Sequence, residues 1–171
     1  MKKIACLLIL FAAVGSLPAQ VTGNVISRVL QIRFNGFTGS AFFLEYGAKS
    51  YFITANHMVA TAGDHATVDV LGGVDSLWHP IEFDILHGST PCADVAVLVA
   101  KDTKVNSSID PLPFDDKLSF AMGQETYFLG FPFGLFGSFD GQRIAVPLIK
   151  HGYVSAVVPC SQFTPMGRKI V

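Results

Sequence analysis

The sequence predicts an all-β protein, and three observations support that prediction. Short apolar segments alternate with turn residues along the 171-residue chain, which contains 16 Gly and 9 Pro. Some of these segments alternate apolar and polar residues, as in Leu30–Phe34, which is the pattern of a half-buried strand. Beyond the N-terminal region, no stretch longer than about ten residues follows the helical period. A composition of 50% hydrophobic and 15% charged residues indicates a packed globular chain.

Residues 1–19 are predicted to be a secretory signal peptide that lies outside the fold. Lys2 and Lys3 form a short basic region, Ile4–Val14 is apolar, and small residues lead to Ala19, where cleavage is expected. The apolar run is too short for a membrane span, which needs about 20 residues. The alternative is an N-terminal anchor that stays uncut. We therefore expect export, to the periplasm or out of the cell, and no membrane attachment after cleavage.

Charge and cysteine content limit the possible partners. Loss of residues 1–19 removes Lys2 and Lys3, which leaves 10 basic and 13 acidic residues and a net charge of about −3. Because there is no basic cluster, nucleic acid is not an expected partner. The histidines show no metal-ligand spacing, so a structural zinc is not expected. Export permits a disulfide between Cys92 and Cys160, but the sequence leaves that pairing open.

The first predicted β unit begins with two strands, Ile26–Phe34 and Ser40–Tyr46, on either side of the tight-turn dipeptide Asn35-Gly36. Lys49–Ala55 returns from the second strand as a hairpin. Further elements are expected as a helical turn at Met58–Ala62 and strands at Ala66–Leu71, Ile81–Ile85 and Val95–Val99. The last of these is apolar on both faces, which is typical of a buried central strand.

A second β unit follows a polar, Pro-containing segment, residues 101–118, which is interpreted as a linker. After it, strands are predicted at Glu125–Gly130, Ile144–Ile149 and Gly152–Val158, with an aromatic loop over residues 131–137.

The segment Tyr51–Val59 is predicted to be a strand that ends by presenting His57. Histidine is the side chain best suited to proton transfer near neutral pH. Asp94 stands at the entry to the apolar strand Val95–Val99, and a carboxylate on Nδ1 is what a catalytic histidine requires. Each residue alone has a simpler interpretation, His57 as a hydrogen-bonded structural residue and Asp94 as a turn residue.

Five segments occur in an order that resembles the trypsin-like serine peptidase superfamily, closest to its HtrA-type branch. They are Ser40–Leu44, Phe52–Val59, Asp94–Leu98, Gly130–Leu135 and Gly152–Ala156, and the resemblance covers residues 28–158. It departs from the family pattern at Asn56, where the family often has Ala, and at Phe131, where it usually has a small polar residue.

The resemblance implies a chymotrypsin-like double antiparallel β-barrel with the active site between the barrels. The N-terminal barrel would occupy residues 20–110 and a partial C-terminal barrel residues 111–171. His57 would be the general base and Asp94 its orienting carboxylate. The implied reaction is hydrolysis of polypeptide substrates through an acyl-enzyme, without metal or cofactor.

The third residue of the triad is not found in the sequence. No Gly-x-Ser-Gly-Gly is present, and none of Ser138, Ser155 and Ser161 stands in the setting that a nucleophile needs. We expect a chain truncated in its second barrel before the serine, and inactive by itself. The alternative is a secreted β-barrel binding module, a pseudoenzyme in which His57 and Asp94 are relics. Cleavage preference and oligomeric state are not predicted.

Overall fold

The computed structural model describes residues 21–46, 49–72, 75–89, 93–101, 121–135, 137–139 and 142–155. Within these ranges the protein has ten strands, one five-residue α-helix and two 3₁₀ turns. The all-β prediction is therefore confirmed.

The described strands are short. Their bounds are β1 Val29–Phe34, β2 Phe37–Tyr46, β3 Lys49–Thr54, β4 His65–Leu71, β5 Trp78–His87, β6 Ala96–Ala100, β7 Glu125–Gly130, β8 Gly137–Phe139, β9 Gln142–Val146 and β10 Leu148–Tyr153. The helix α1 spans Gly23–Ser27, and the 3₁₀ turns span Asn56–Met58 and Pro132–Gly134.

Strands β1 to β6 close into an antiparallel barrel in the order β1-β2-β3-β6-β5-β4, with β4 pairing back to β1. This confirms the prediction that the first antiparallel β-barrel is complete. The core is centred on Phe52, whose ring lies edge-on to Phe43 at 5.2 Å and to Phe83 at 5.0 Å between centroids. All three side chains are about 1% exposed. Burying each is worth about 1.5–3 kcal/mol, so this cluster is a main source of the barrel's stability.

The turn predicted at Asn35-Gly36 is found between β1 and β2. Both residues have positive φ, 49° and 82°. A two-residue hairpin of this kind needs positive φ at both positions, which asparagine and glycine tolerate best. The register Phe34↔Phe37 shows that these two residues alone make the connection.

Several predicted boundaries in the first unit are wrong. β2 begins at Phe37 and not at Ser40, and β5 spans Trp78–His87 and not Ile81–Ile85. The strand expected from Ile26 begins at Val29, because α1 occupies the preceding residues and Thr22 Oγ1 accepts the N–H of Val25 at its N-terminus. The helical turn expected at Met58–Ala62 is a 3₁₀ turn that begins two residues earlier.

In the second unit β7 pairs with β10, and β8 pairs with β9, all antiparallel. The predicted strand Glu125–Gly130 is confirmed. The strands predicted at Ile144–Ile149 and Gly152–Val158 are wrong in their bounds. β9 ends before Pro147, which has no N–H to donate to a ladder, and β10 continues through Gly152 to Tyr153.

Several predictions fall outside the described residues and stay predictions. They concern the signal peptide at residues 1–19, the linker beyond residue 101, Cys92, Cys160 and Ser161. Among the helices in the described ranges, none is long and apolar enough to cross a bilayer.

Candidate active site

His57 is presented by the 3₁₀ turn that follows β3. The turn is closed by the N–H of Met58, which donates to Ala55 O at 3.1 Å, and by the N–H of Val59, which donates to Asn56 O at 3.1 Å. Val59 is fully buried in the barrel core, so it anchors the turn from the inside. The side chain of His57 consequently points outward and is 70% exposed.

Asp94 reaches His57 because β3 and β6 are neighbours in the barrel. Thr54, the last residue of β3, pairs with Ala96, the first residue of β6. In an antiparallel pair, the residues just after one strand and just before the other meet at the same end of the sheet. His57 and Asp94, 37 positions apart in sequence, are brought together in this way.

The carboxylate of Asp94 holds His57 at two points. Oδ2 lies 2.6 Å from Nδ1, and Oδ1 accepts the backbone N–H of the same histidine at 2.8 Å. These hydrogen bonds, led by the one from the imidazole, lower the pKa of Asp94 below its ordinary value of 3.8, and the backbone N–H of Asn56 contributes in the same direction. Asp94 is thereby kept ionised, as a partner of an imidazolium must be.

This geometry leaves Nε2 of His57 as the working nitrogen. A carboxylate only accepts hydrogen bonds, so Nδ1 carries the proton and Nε2 of the neutral ring has a free lone pair. No described residue hydrogen-bonds Nε2. Ser155, which was predicted not to be a nucleophile, is exposed just beyond β10 and makes no hydrogen bond to His57. Ser138 lies in β8, and Ser161 lies outside the described residues.

Two further residues near the pair, His87 and Gly88, were not singled out as functional from the sequence. His87 ends β5 on the other side of β6, opposite Ala96, and its Nδ1 lies 2.7 Å from Oδ1 of Asn56. The N–H of Gly88 donates to Val95 O at 2.9 Å. In the sequence, His87-Gly88 stands shortly before Asp94. Whether this places the two residues near the pair depends on how β5 pairs with β6, which the sequence does not show.

Gly88 is packed so tightly that it controls the path of the chain around Asp94. A Cβ at this position would lie 2.8 Å from the carbonyl oxygens of Ala93 and Val95, the two neighbours of Asp94. Such a distance is not tolerated, so a side chain here requires the backbone to move.

A histidine beside an aspartate is not by itself diagnostic in this protein. His65 Nδ1 lies 2.7 Å from Asp84, and His79 Nε2 lies 2.7 Å from Asp75. The pair formed by Asp94 differs because its carboxylate also accepts the backbone N–H of its own histidine. Asp84 instead lies 3.6 Å from the ammonium of Lys101, which competes with its histidine. All three pairs are largely exposed, so they contribute little to stability.

Within the described part of the chain, no group of three or more His, Cys, Asp and Glu residues is placed to hold a metal ion. The His57–Asp94 pair has the arrangement of an oriented imidazole, which is suited to proton transfer.

No family model matches the chain, and no curated protein matches it either. Among solved structures, the chain is similar to the MamO protease domain from Magnetospirillum magneticum, crystallised in its apo form. The identity is 17% and the TM-score 0.49, over 80% of this chain. The chain spans 64% of the length of that domain. Likeness at this level says nothing about activity.

Proposed function

We propose that this chain carries the general base and the orienting carboxylate of a trypsin-like serine endopeptidase, His57 and Asp94. The proposal rests on two hydrogen bonds between the Asp94 carboxylate and His57, one with Nδ1 at 2.6 Å and one from the backbone N–H at 2.8 Å. Together these hydrogen bonds fix the tautomer and the orientation of the imidazole ring, which is the role of the carboxylate in base catalysis.

In the proposed reaction Nε2 of His57 takes the proton of a serine hydroxyl while the oxygen attacks a peptide carbonyl carbon. Asp94 stabilises the imidazolium that forms. The proton then passes to the leaving amine, an acyl-enzyme remains, and water releases it by the same base. The reaction requires no metal and no cofactor.

The nucleophile for this reaction is not identified in the chain. The sequence holds no Gly-x-Ser-Gly-Gly, and no described serine hydroxyl bonds to His57. The 171-residue chain alone is therefore proposed to be inactive as a peptidase. A fluorophosphonate that labelled it stoichiometrically at one serine would show this part of the proposal to be wrong.

The proposal extends to location and organisation. An apolar N-terminal segment, residues 1–19, would direct export, and two β units at 20–110 and 111–171 would flank the cleft. The substrate would be a polypeptide. The formal net charge of −1 and the lack of a basic cluster in the sequence support the exclusion of nucleic acid as a partner.

The second candidate function is a secreted β-barrel binding module whose His57 and Asp94 are relics. It is favoured by the exposure of the pair, 70% for the histidine side chain and 57% for the aspartate. Catalytic groups usually work where water is excluded, since electrostatic interactions are stronger there.

Hydrolysis of p-nitrophenyl acetate separates the two functions, because a free imidazole nitrogen attacks this activated ester without help from a serine. His57→Gln is compared with His65→Gln, its matched control, since both histidines are exposed and both have Nδ1 on an aspartate. The peptidase proposal expects His57→Gln to remove the larger part of the rate and His65→Gln a minor part. Equal losses would contradict a special role of His57 and support the binding module.

A further inference from the structure

Two residues on the outside of the barrel are unexpectedly buried. Ile32 and Val70 belong to the barrel core, so their neighbours Gln31 and Leu71 face outward on β1 and β4. Yet Gln31 is only 4% exposed and Leu71 only 8%. Another part of the protein must cover this face of the barrel.

The 3₁₀ turn Pro132–Gly134 supplies part of that cover. A Cβ at Gly134 would lie 3.1 Å from Thr38 Oγ1 and 3.4 Å from Gln31 Nε2, so the backbone of the turn passes directly over the outer face. The turn is anchored at its start, where Phe131 is 2% exposed and its N–H donates to Ser40 Oγ at 2.7 Å.

The cover is incomplete, and a cavity of about 410 Å³ remains between the turn and the barrel. Gln31, Leu71 and Trp78 line it from the barrel side, and Phe133 lines it from the turn. This volume is in the range of ligand sites, about 300–1,000 Å³. The described side chains that line it carry no charge, which suits an uncharged ligand. Neither His57 nor Asp94 is part of it.

The aromatic wall of the cavity is held in place by two further contacts. The guanidinium of Arg33 lies 4.5 Å from the ring centre of Trp78. Asp69, directly opposite Arg33 in the sheet, accepts from its Nε at 3.1 Å and its Nη2 at 2.8 Å. A ring fixed in this way offers a binding surface that needs no reordering when a ligand arrives.

Two features of the cavity are unexplained by folding alone. Gln31 is only 4% exposed and its side chain lines the cavity, where the amide hydrogen-bonds no other described residue. Phe133 is 96% exposed and has φ of 57°, a strained conformation for a residue with a side chain. Strain of this kind persists where the surroundings impose it, and it clusters at ligand sites.

We propose that this cavity binds a large uncharged side chain of a polypeptide, aromatic or aliphatic, between Trp78 and Phe133. The amide of Gln31 pairs with a peptide group of the same segment, donating to its carbonyl oxygen or accepting from its N–H. The choice of a polypeptide as ligand rests on the proposed function. In a peptidase the site would add affinity for the polypeptide substrate, and in a binding module it would add affinity for a polypeptide partner.

The test uses the full chain and the neutral peptide acetyl-Gly-Phe-Gly-amide. Trp78 is the only tryptophan of the sequence, so its fluorescence reports on the cavity. A saturable change is expected with this peptide, and none with acetyl-Gly-Gly-Gly-amide or acetyl-Gly-Glu-Gly-amide over the same concentrations. No saturable change with the phenylalanine peptide, or an equal change with all three, would overturn the proposal.

Variants locate the binding. Gln31→Leu is expected to weaken it about tenfold, the loss of one hydrogen bond, and Phe133→Ala is expected to weaken it similarly. Phe133 is almost fully exposed, so its variant folds even if Gln31→Leu does not. Leu86→Ala, an exposed residue of β5 that does not line the cavity, is the control and should bind normally. Binding that is unchanged in Phe133→Ala contradicts the site. The outcome of this binding test does not affect the ester-hydrolysis test of His57, so failure of the site and failure of the proposed function can be told apart.

Discussion

Asp94 accepts two hydrogen bonds from His57, one from the backbone N–H at 2.8 Å and one from the ring nitrogen Nδ1 at 2.6 Å. Both residues stand at the same end of the β3–β6 ladder, just outside the pair Thr54↔Ala96. The barrel therefore sets the geometry of the pair. A substitution that moves the backbone at this end of the barrel should also move the imidazole of His57.

The first prediction concerns the titration of Asp94. Its hydrogen bonds with His57 lower its pKa below the ordinary value of 3.8. For a lowered carboxyl pKa, the stabilisation is present above the ordinary value and is lost as the pH falls through the lowered one. We expect the ¹³C chemical shift of the Asp94 carboxyl group to titrate below pH 3.8, and to move back toward 3.8 in His57→Gln. A midpoint at or above 3.8 in the unmodified protein would contradict the hydrogen-bonding pattern.

The second prediction concerns Gly88. In Gly88→Ala the new methyl group meets the carbonyl oxygens of Ala93 and Val95 at 2.8 Å, so the segment that carries Asp94 must move. We expect this variant to lower the His57-dependent hydrolysis of p-nitrophenyl acetate while the barrel stays folded by circular dichroism. Gly63→Ala is the matched control, because no atom lies within 4 Å of a Cβ there. Equal rates for the two variants would show that Gly88 has no part in positioning Asp94.

The third prediction concerns the connection between the barrel and the turn at Pro132–Gly134. Ser40 Oγ accepts the N–H of Phe131, which is 2% exposed, so Ser40→Ala leaves a buried donor without a partner. The expected cost in the free energy of unfolding is about 1–3 kcal/mol. Ser27→Ala removes an exposed hydroxyl and should change it by no more than about 0.5 kcal/mol. Denaturant titration measures both, and a Ser40→Ala value as small as the control would count against the connection.

The fourth prediction concerns the barrel core. Phe52→Ala removes a ring that is 1% exposed and contacts two other rings, and should cost about 3–5 kcal/mol of unfolding free energy. Phe128→Ala, at a side chain that is 65% exposed, should change it by about 0.5 kcal/mol or less. Thermal or denaturant unfolding distinguishes the two. Similar values would place Phe52 outside the stabilising cluster.

The sequence predicted the barrel strands because alternating apolar residues and turn residues mark them. It predicted the His57–Asp94 pair because a histidine follows one strand, an aspartate precedes another, and the two residue types together suit base catalysis. It did not predict α1, which is too short to show a helical period. The roles of His87 and Gly88 also escaped prediction. They depend on the register His87↔Ala96, which a single sequence does not specify, since pairing partners on neighbouring strands are set by the closed barrel.

The cavity beside Gln31 was unpredictable for a related reason. A glutamine in a strand with alternating residues is expected to face water, and its burial arises only when the turn at Pro132–Gly134 folds over it. A contact such as that of Gln31 with Gly134, 103 positions apart (134 − 31), leaves no local pattern in the sequence.

The central claim is that Asp94 orients His57 as a base through Nδ1, and ¹⁵N NMR of the imidazole tests it most directly. In the neutral ring we expect the proton on Nδ1 and none on Nε2, and we expect Asp94→Asn to reduce the population of this tautomer. A neutral His57 with its proton on Nε2 in the unmodified protein, unchanged by Asp94→Asn, would contradict the account.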